Sequence, residues 1–176
     1  AGAELLKGNI KAADSLFRLA KDLDALRFRA PEKLNNIIIE LGERYNFPVV
    51  DIDKLLNENS DAKIIGNDLM IDHLHPDLDG YRLIGKYFFN SIKDNGLLPE
   101  DYPDINESIL DSLSRINFYF SYIDSTVAKY RIIILKNDWP FSERRDVPYM
   151  MKLFNPQNYL DTTALKVIDD RISWEQ

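Results

Sequence analysis

Apolar residues recur every three to four positions in two long stretches of this chain, and each stretch predicts an amphipathic helix. In residues 32–45 the pattern is carried by Leu34, Ile37, Ile38 and Leu41. The second stretch begins at Asp77 or Asp79, either of which can cap a helix, and runs to about Asp94. Its buried side is predicted to carry Tyr81, Ile84, Phe88 and Ile92.

Residues 47–52, with the sequence Phe-Pro-Val-Val-Asp-Ile, have the composition of a buried β-strand that ends near Asp51. A helix followed at once by an apolar strand is half of a parallel-sheet unit. We therefore expect an α/β fold that is rich in helices and has few parallel strands. The apolar run 132–135 fits a strand or a buried helix, and its periodicity does not decide between them.

The N-terminal part of the chain predicts a pair of helices. A short helix ends at Gly8, and the next one carries three small residues beside Phe17, namely Ala12, Ala13 and Ala20. Small residues let two helices approach closely, and the pattern resembles the second half of a tetratricopeptide repeat. An ordinary amphipathic helix accounts for the same residues equally well.

Charge and composition narrow the classes of function. The 29 acidic and 22 basic residues give a net charge of -7, and such a surface repels phosphate backbones, which argues against general nucleic-acid binding. The chain has no cysteine, which excludes disulfides, thiolate nucleophiles and cysteine-based zinc sites. No apolar run approaches the roughly 20 residues that a membrane-spanning helix needs. Both ends of the chain lie within predicted helices, which indicates a piece of a longer protein.

The candidate chemistry lies just before the second predicted helix, in the segment Asp72-His73-Leu74-His75-Pro76. A serine hydrolase needs a base that titrates near neutral pH, and a carboxylate on the other ring nitrogen of that base to fix its tautomer. Three residues of separation in a tight loop can bring Asp72 and His75 within hydrogen-bond reach. The pair is therefore our candidate for the acid and base of a catalytic triad.

Two other interpretations of the same segment are open. In the first, both histidines are polar loop residues, and the aspartates after them only cap a helix. In the second, the loop binds a metal, because imidazole and carboxylate are suitable ligands. The candidate metal ligands are His73 and His75 with Asp68, Asp72 or Asp77.

The surrounding sequence favours the hydrolase. Residues 65–85, which read IGNDLMIDHLHPDLDGYRLIG, closely resemble the last conserved block of SGNH/GDSL hydrolases. That resemblance implies that Asp72 and His75 take the catalytic roles and that His73 is only the residue between them. It also implies that the α/β fold is part of a three-layer, flavodoxin-like domain.

A narrower resemblance concerns a bacterial subgroup in which the hydrolase carries tetratricopeptide repeats. Residues 20–31, 135–141 and 168–175 are similar to segments of that subgroup. We therefore expect three parts. They are a partial tetratricopeptide-like hairpin over 1–30, the C-terminal part of an SGNH domain over 31–95, and a helical or mixed region leading into further repeats over 96–176.

The chain departs from the family pattern at the nucleophile. None of its ten serines follows a Gly-Asp pair, and Gly-Asp-Ser is the block that carries the nucleophile in the family. Gly66-Asn67-Asp68 resembles the family's oxyanion-hole asparagine block, but it lies too close to His75 along the chain, so we interpret it as part of the histidine loop. We expect the serine to lie upstream of Ala1 in a parent protein, and the isolated chain to be inactive.

The resemblance implies that the parent is a serine esterase or deacylase that needs no cofactor. Its substrate would be an ester or an acetylated carbohydrate or lipid, and its location would be periplasmic, secreted or membrane-anchored. The alternative is a non-catalytic helical-repeat module that carries a degenerate hydrolase remnant and binds a protein partner through its repeats.

Overall fold

The structure is a computed structural model that describes residues 1–26, 28–139, 142–143 and 152–169. Its helices are α1 (Gly2–Leu6), α2 (Ile10–Asp22), α3 (Glu32–Tyr45), α4 (Ile52–Asn59), α5 (Leu78–Asp94), α6 (Glu107–Ile116), α7 (Tyr122–Lys136) and α8 (Tyr159–Ile168). The chain divides into an N-terminal unit, Ala1–Tyr102, and a C-terminal unit, Pro103–Gln176. Parts of the subgroup-like segments, at residues 27, 140–141 and 170–175, lie outside the described residues, and so does the end of the predicted last helix.

The α/β expectation is wrong. The described ranges contain helices and an isolated antiparallel bridge between Met70 and Pro76, with no β-strand and no parallel sheet. Residues 47–51 contain no regular structure, and α4 starts at Ile52 because the Asp51 carboxylate accepts the Lys54 N–H at 3.0 Å. This cap stabilises a helix where β-propensity alone favours a strand. The flavodoxin-like layer expected from the resemblance is therefore not present in the described part of the chain.

The two amphipathic helices are confirmed, as α3 and α5. Asp77, rather than Asp79, caps α5, because its carboxylate accepts the Gly80 N–H at 2.8 Å. The expectation of a buried side on α5 is wrong for its large residues, since Tyr81 is 56% exposed and Phe88 is 49% exposed. The apolar stripe of α3 is likewise more than a third exposed at each of its four positions, Leu34, Ile37, Ile38 and Leu41.

The N-terminal helical pair is also confirmed, as α1 and α2. Gly8 separates them with a φ of 79°, a backbone conformation that glycine adopts without strain. Ala13 is fully buried on α2, while Phe17 is 39% exposed. The likeness to a tetratricopeptide repeat and the division at residues 30 and 95 stay predictions.

Charged side chains connect α2 to α3 and α4. The Arg18 guanidinium on α2 bonds Asp14 on its own helix at 3.1 Å, Glu32 on α3 at 2.9 Å and Asp53 on α4 at 2.8 Å. The Lys21 ammonium adds a second cation to Glu32. Burial lowers the pKa of Arg18, but the surrounding carboxylates, Asp53 first, outweigh it and raise the pKa, so this cation stays charged at any ordinary pH.

The C-terminal unit has a more conventional apolar core between α7 and α8. The run 132–135, ambiguous by sequence, is helical and belongs to α7. The Tyr130 and Phe154 rings lie 4.9 Å apart between their centroids. The other buried members of this cluster are Val127, Ala164, Leu165 and Val167.

A polar group is buried beside this core. Asp161 is 6% exposed, and its carboxylate accepts the Gln157 N–H at 2.8 Å and the Tyr122 hydroxyl at 3.0 Å. The Gln157 N–H and then the Tyr122 hydroxyl hold the pKa of Asp161 below its usual value, although burial opposes them. The carboxylate is therefore stabilised in its charged form.

No helix within the described ranges is long and apolar enough to cross a bilayer.

Replacing Arg18 with methionine should lower the free energy of unfolding by about 1–2 kcal/mol at low salt, because three carboxylates lose their shared cation. The difference from wild type should narrow as added salt screens the remaining repulsion. Urea unfolding followed by circular dichroism at several salt concentrations measures both effects. Lys7→Met, which removes an exposed cation paired with Glu4, is the control and should barely move the midpoint. Equal effects of the two variants would contradict the prediction.

The pKa of the Asp161 carboxylate is lowered in the folded chain. Its contribution to stability is therefore present above the ordinary aspartate pKa, and it is lost as the pH falls through the lowered pKa of Asp161. Tyr122→Phe removes one donor to this carboxylate. Acid unfolding of the C-terminal unit should then begin at a higher pH than in wild type. An acid titration that follows the amide NMR signals of α8 measures this onset. The control is Tyr119→Phe, which changes a 93% exposed ring and should match wild type.

Candidate functional site

The candidate pair lies in a tight hairpin that leads directly into α5. The Asp77 N–H donates to the Leu69 carbonyl at 2.9 Å and closes the base of this hairpin. Within it, Met70 and Pro76 form the isolated bridge, and the Ile71 N–H donates to the His75 carbonyl at 2.8 Å. These bonds hold residues 72–75 as the tip of the hairpin.

The tip is organised around the Asp72 carboxylate. Its Oδ1 accepts the Leu74 N–H at 2.7 Å and the His75 N–H at 2.8 Å. The His75 Nδ1 atom lies 2.9 Å from Oδ2 and 3.1 Å from Oδ1. The sequence prediction that three residues of separation would bring carboxylate and imidazole together in a tight loop agrees with these distances.

Asp72 and His75 differ sharply in exposure. The Asp72 side chain is 4% exposed and the His75 side chain is 56% exposed. Burial raises the pKa of Asp72, but the N–H groups of His75 and Leu74 and the His75 imidazole outweigh it, so that the pKa lies below its usual value. Asp72 is thus an ionised, buried carboxylate that holds an exposed imidazole.

The imidazole orientation leaves its second nitrogen available. Because Nδ1 faces a carboxylate, which only accepts hydrogen bonds, we assign the ring proton to Nδ1. The Nε2 atom then carries the lone pair, and no side chain among the described residues hydrogen-bonds to it. An exposed imidazole with a free Nε2 lone pair and a fixed tautomer can accept a proton from a hydroxyl group.

His73 has a different environment from His75. Its ring packs edge-on against Phe28, with 5.6 Å between the ring centroids. Its ring is not among the groups that hydrogen-bond to the Asp72 carboxylate. No group of three or more His, Asp or Glu side chains in the described ranges is arranged to hold a metal ion, so the alternative metal set with Asp68 and Asp77 is not assembled there.

The loop that precedes the hairpin is hydrogen-bonded to α4. The Asn57 side chain accepts the Ile65 N–H at 2.9 Å and donates to the Asp53 carbonyl at 2.7 Å. The Asp68 carboxylate accepts the Asp61 N–H at 2.9 Å. Gly66, whose carbonyl accepts the Leu69 and Met70 N–H groups, belongs to the same loop.

A polar cleft of about 540 Å³ lies over the Arg18 network, and no pattern in the sequence predicted it. Its lining includes Asn35, Asn36 and Lys54, and it includes neither Asp72 nor His75. No described serine hydrogen-bonds to His75, and the buried Ser60 hydroxyl has no partner among the described residues. The described residues therefore bring together a carboxylate, Asp72, and an imidazole, His75, and no described serine bonds to that imidazole.

Comparison with protein-family models, with curated proteins and with solved structures finds no match to this chain. The resemblance to SGNH/GDSL hydrolases therefore stays a prediction from residues 65–85 and from the subgroup-like segments. The geometry of Asp72 and His75 stands independently of that likeness.

Asp72→Ala should lower the free energy of unfolding by about 2 kcal/mol at neutral pH, because the carboxylate accepts three N–H groups. The pKa of Asp72 is lowered, so the charge-dependent part of this contribution is present above the ordinary aspartate pKa and should be lost as the pH falls through the lowered pKa of Asp72. His75→Ala removes only one of the three donors and should cost less. Urea unfolding at neutral and acid pH tests this, and a pH-independent loss would contradict it.

Proposed function

We propose that Asp72 and His75 are the acid and base of the Ser-His-Asp triad of an SGNH-type ester hydrolase, whose serine lies upstream of Ala1 in a parent protein. One observation carries this proposal. The buried, ionised Asp72 holds the Nδ1 atom of His75 at 2.9 Å, and the exposed imidazole keeps its Nε2 lone pair free. This arrangement matches the role of a triad base and the residue that orients it.

In this mechanism the Nε2 atom of His75 takes the proton of the serine hydroxyl as that oxygen attacks the ester carbonyl. The imidazolium then gives the proton to the departing alcohol, which leaves an acyl-enzyme. A water molecule then attacks the acyl-enzyme carbonyl while Nε2 takes its proton. The imidazolium returns that proton to the serine oxygen as the carboxylic acid leaves. Asp72 stays ionised throughout and stabilises the imidazolium, in keeping with its lowered pKa.

The proposed substrate is an ester or an acetyl group on a carbohydrate or lipid, and the proposed parent acts outside the cytoplasm. Both statements come from the family resemblance. We assign the donors for the negatively charged oxygen of the tetrahedral intermediate, like the serine, to the proposed upstream part. No cofactor takes part in the mechanism, and the chain by itself is expected to be inactive.

A non-catalytic interaction module remains the second candidate, and one observation favours it. Helix α6 contributes no buried residue, and its apolar face is exposed at Ile109 (51%), Leu113 (45%) and Ile116 (73%). Exposed apolar surface of this kind is characteristic of protein contacts. In that case the sequence upstream of Ala1 would contain no Gly-Asp-Ser block.

Labelling of the full-length parent with an alkyl fluorophosphonate tests the enzyme, because this probe reacts only with a serine that an adjacent base activates. His75→Ala should reduce labelling and aryl-acetate hydrolysis by at least about a thousandfold, since removing a triad member costs that much or more. His73→Ala is the matched control and should retain most activity. Full hydrolysis by the His75→Ala parent, or an unlabelled wild-type parent, would overturn the proposal.

A further inference from the structure

Gly80 lies in the first turn of α5, three residues after the cap residue Asp77. It is buried, and its N–H donates to the Asp77 carboxylate at 2.8 Å. A methyl group at this position would overlap the Leu69 carbonyl oxygen and would lie 3.0 Å from Cβ of Pro76. The absence of a side chain is therefore required by the neighbouring backbone, and not by an unusual φ at Gly80.

The atoms that crowd Gly80 form the base of the hairpin. The Leu69 carbonyl accepts the Asp77 N–H, and Pro76 is one partner of the isolated bridge. Because one of the crowded atoms belongs to the main chain, relief of the overlap has to move the backbone at the base of the hairpin. The tip, which carries Asp72 and His75, is attached through that base.

From this geometry we infer that Gly80 is a positioning residue for the Asp72–His75 pair. It lets the first turn of α5 lie directly against the Leu69 carbonyl, and that contact sets the orientation of the hairpin. A catalytic consequence rests on the proposed function, whereas the consequence for the geometry of the pair does not. A displacement of about 1 Å is enough to cost an enzyme roughly a hundredfold in rate.

The same helix contains a matched control. Gly85 also lies in α5, but a methyl group there would meet no atom within 4 Å. Alanine favours a helix more than glycine does, so Gly85→Ala and Gly80→Ala change helix propensity in the same direction. Only Gly80→Ala presses on the hairpin, and any difference between the variants reports on that contact.

The experiment uses imidazole NMR of the ¹⁵N-labelled chain at about pH 8, where an ordinary histidine is neutral. In wild type and in Gly85→Ala, the His75 ring should be mainly in the Nδ1–H form, because Asp72 accepts that proton. In Gly80→Ala, we expect the Nε2–H form that an unrestrained imidazole prefers to become the major one. In the parent, kcat should fall about a hundredfold with little change in KM.

The NMR and activity results separate the two proposals. An unchanged His75 tautomer in folded Gly80→Ala overturns the positioning role, whatever the activity of the parent. A shifted tautomer together with full activity in His75→Ala supports the positioning role and overturns the proposed function. If Gly80→Ala does not fold, Asp77→Ala takes its place, since it removes the acceptor of the Gly80 N–H. It should shift the tautomer balance in the same direction, and an unchanged balance overturns the inference.

Discussion

The Arg18 guanidinium forms bonds to carboxylates on three helices, and the N-terminal unit buries few large apolar side chains that could join those helices instead. Ion pairs of this kind are directional, so each helix must present its carboxylate at one angle around its axis. The network reaches the candidate site through α4. Asp53 bonds Arg18, Asn57 bonds the Asp53 carbonyl, and the Asn57 side chain holds Ile65 at the start of the loop. The orientation of α4 therefore influences where the loop begins.

Local signals in the sequence were sufficient for α1, α2, α3 and α5 and for the contact between Asp72 and His75. Periodicity identified α3, and two candidate aspartate caps placed the start of α5 to within two residues. A three-residue spacing in a tight loop was enough to predict that carboxylate and imidazole lie close together. Each of these features depends on residues that are close along the chain. The predicted burial of Tyr81 and Phe88 failed because periodicity defines a face without identifying what covers it.

The strand and the Arg18 network show where local signals were insufficient. Residues 47–52 have strand-forming side chains, but a strand requires a neighbouring strand, and the Asp51 cap supplies a competing start for a helix. Arg18 and Asp53 are 35 positions apart, so no spacing rule connects them. The steric role of Gly80 is equally hard to predict from sequence. Gly80 and Gly85 are both glycines of α5, and only the fold brings the Leu69 carbonyl against Gly80.

The hairpin from Leu69 to Asp77 contains the Asp72 carboxylate, the His75 imidazole and the bonds that fix both of them. In a hydrolase of the proposed SGNH type, the catalytic acid and base would lie in one continuous segment of the chain, which we call the acid–base cassette. A cut in the polypeptide between the nucleophile and Leu69 would then leave that cassette intact, and activity could be restored by noncovalent reassembly of two pieces. A triad whose acid and base are distant along the chain has no comparable route, because such a cut can separate its acid from its base.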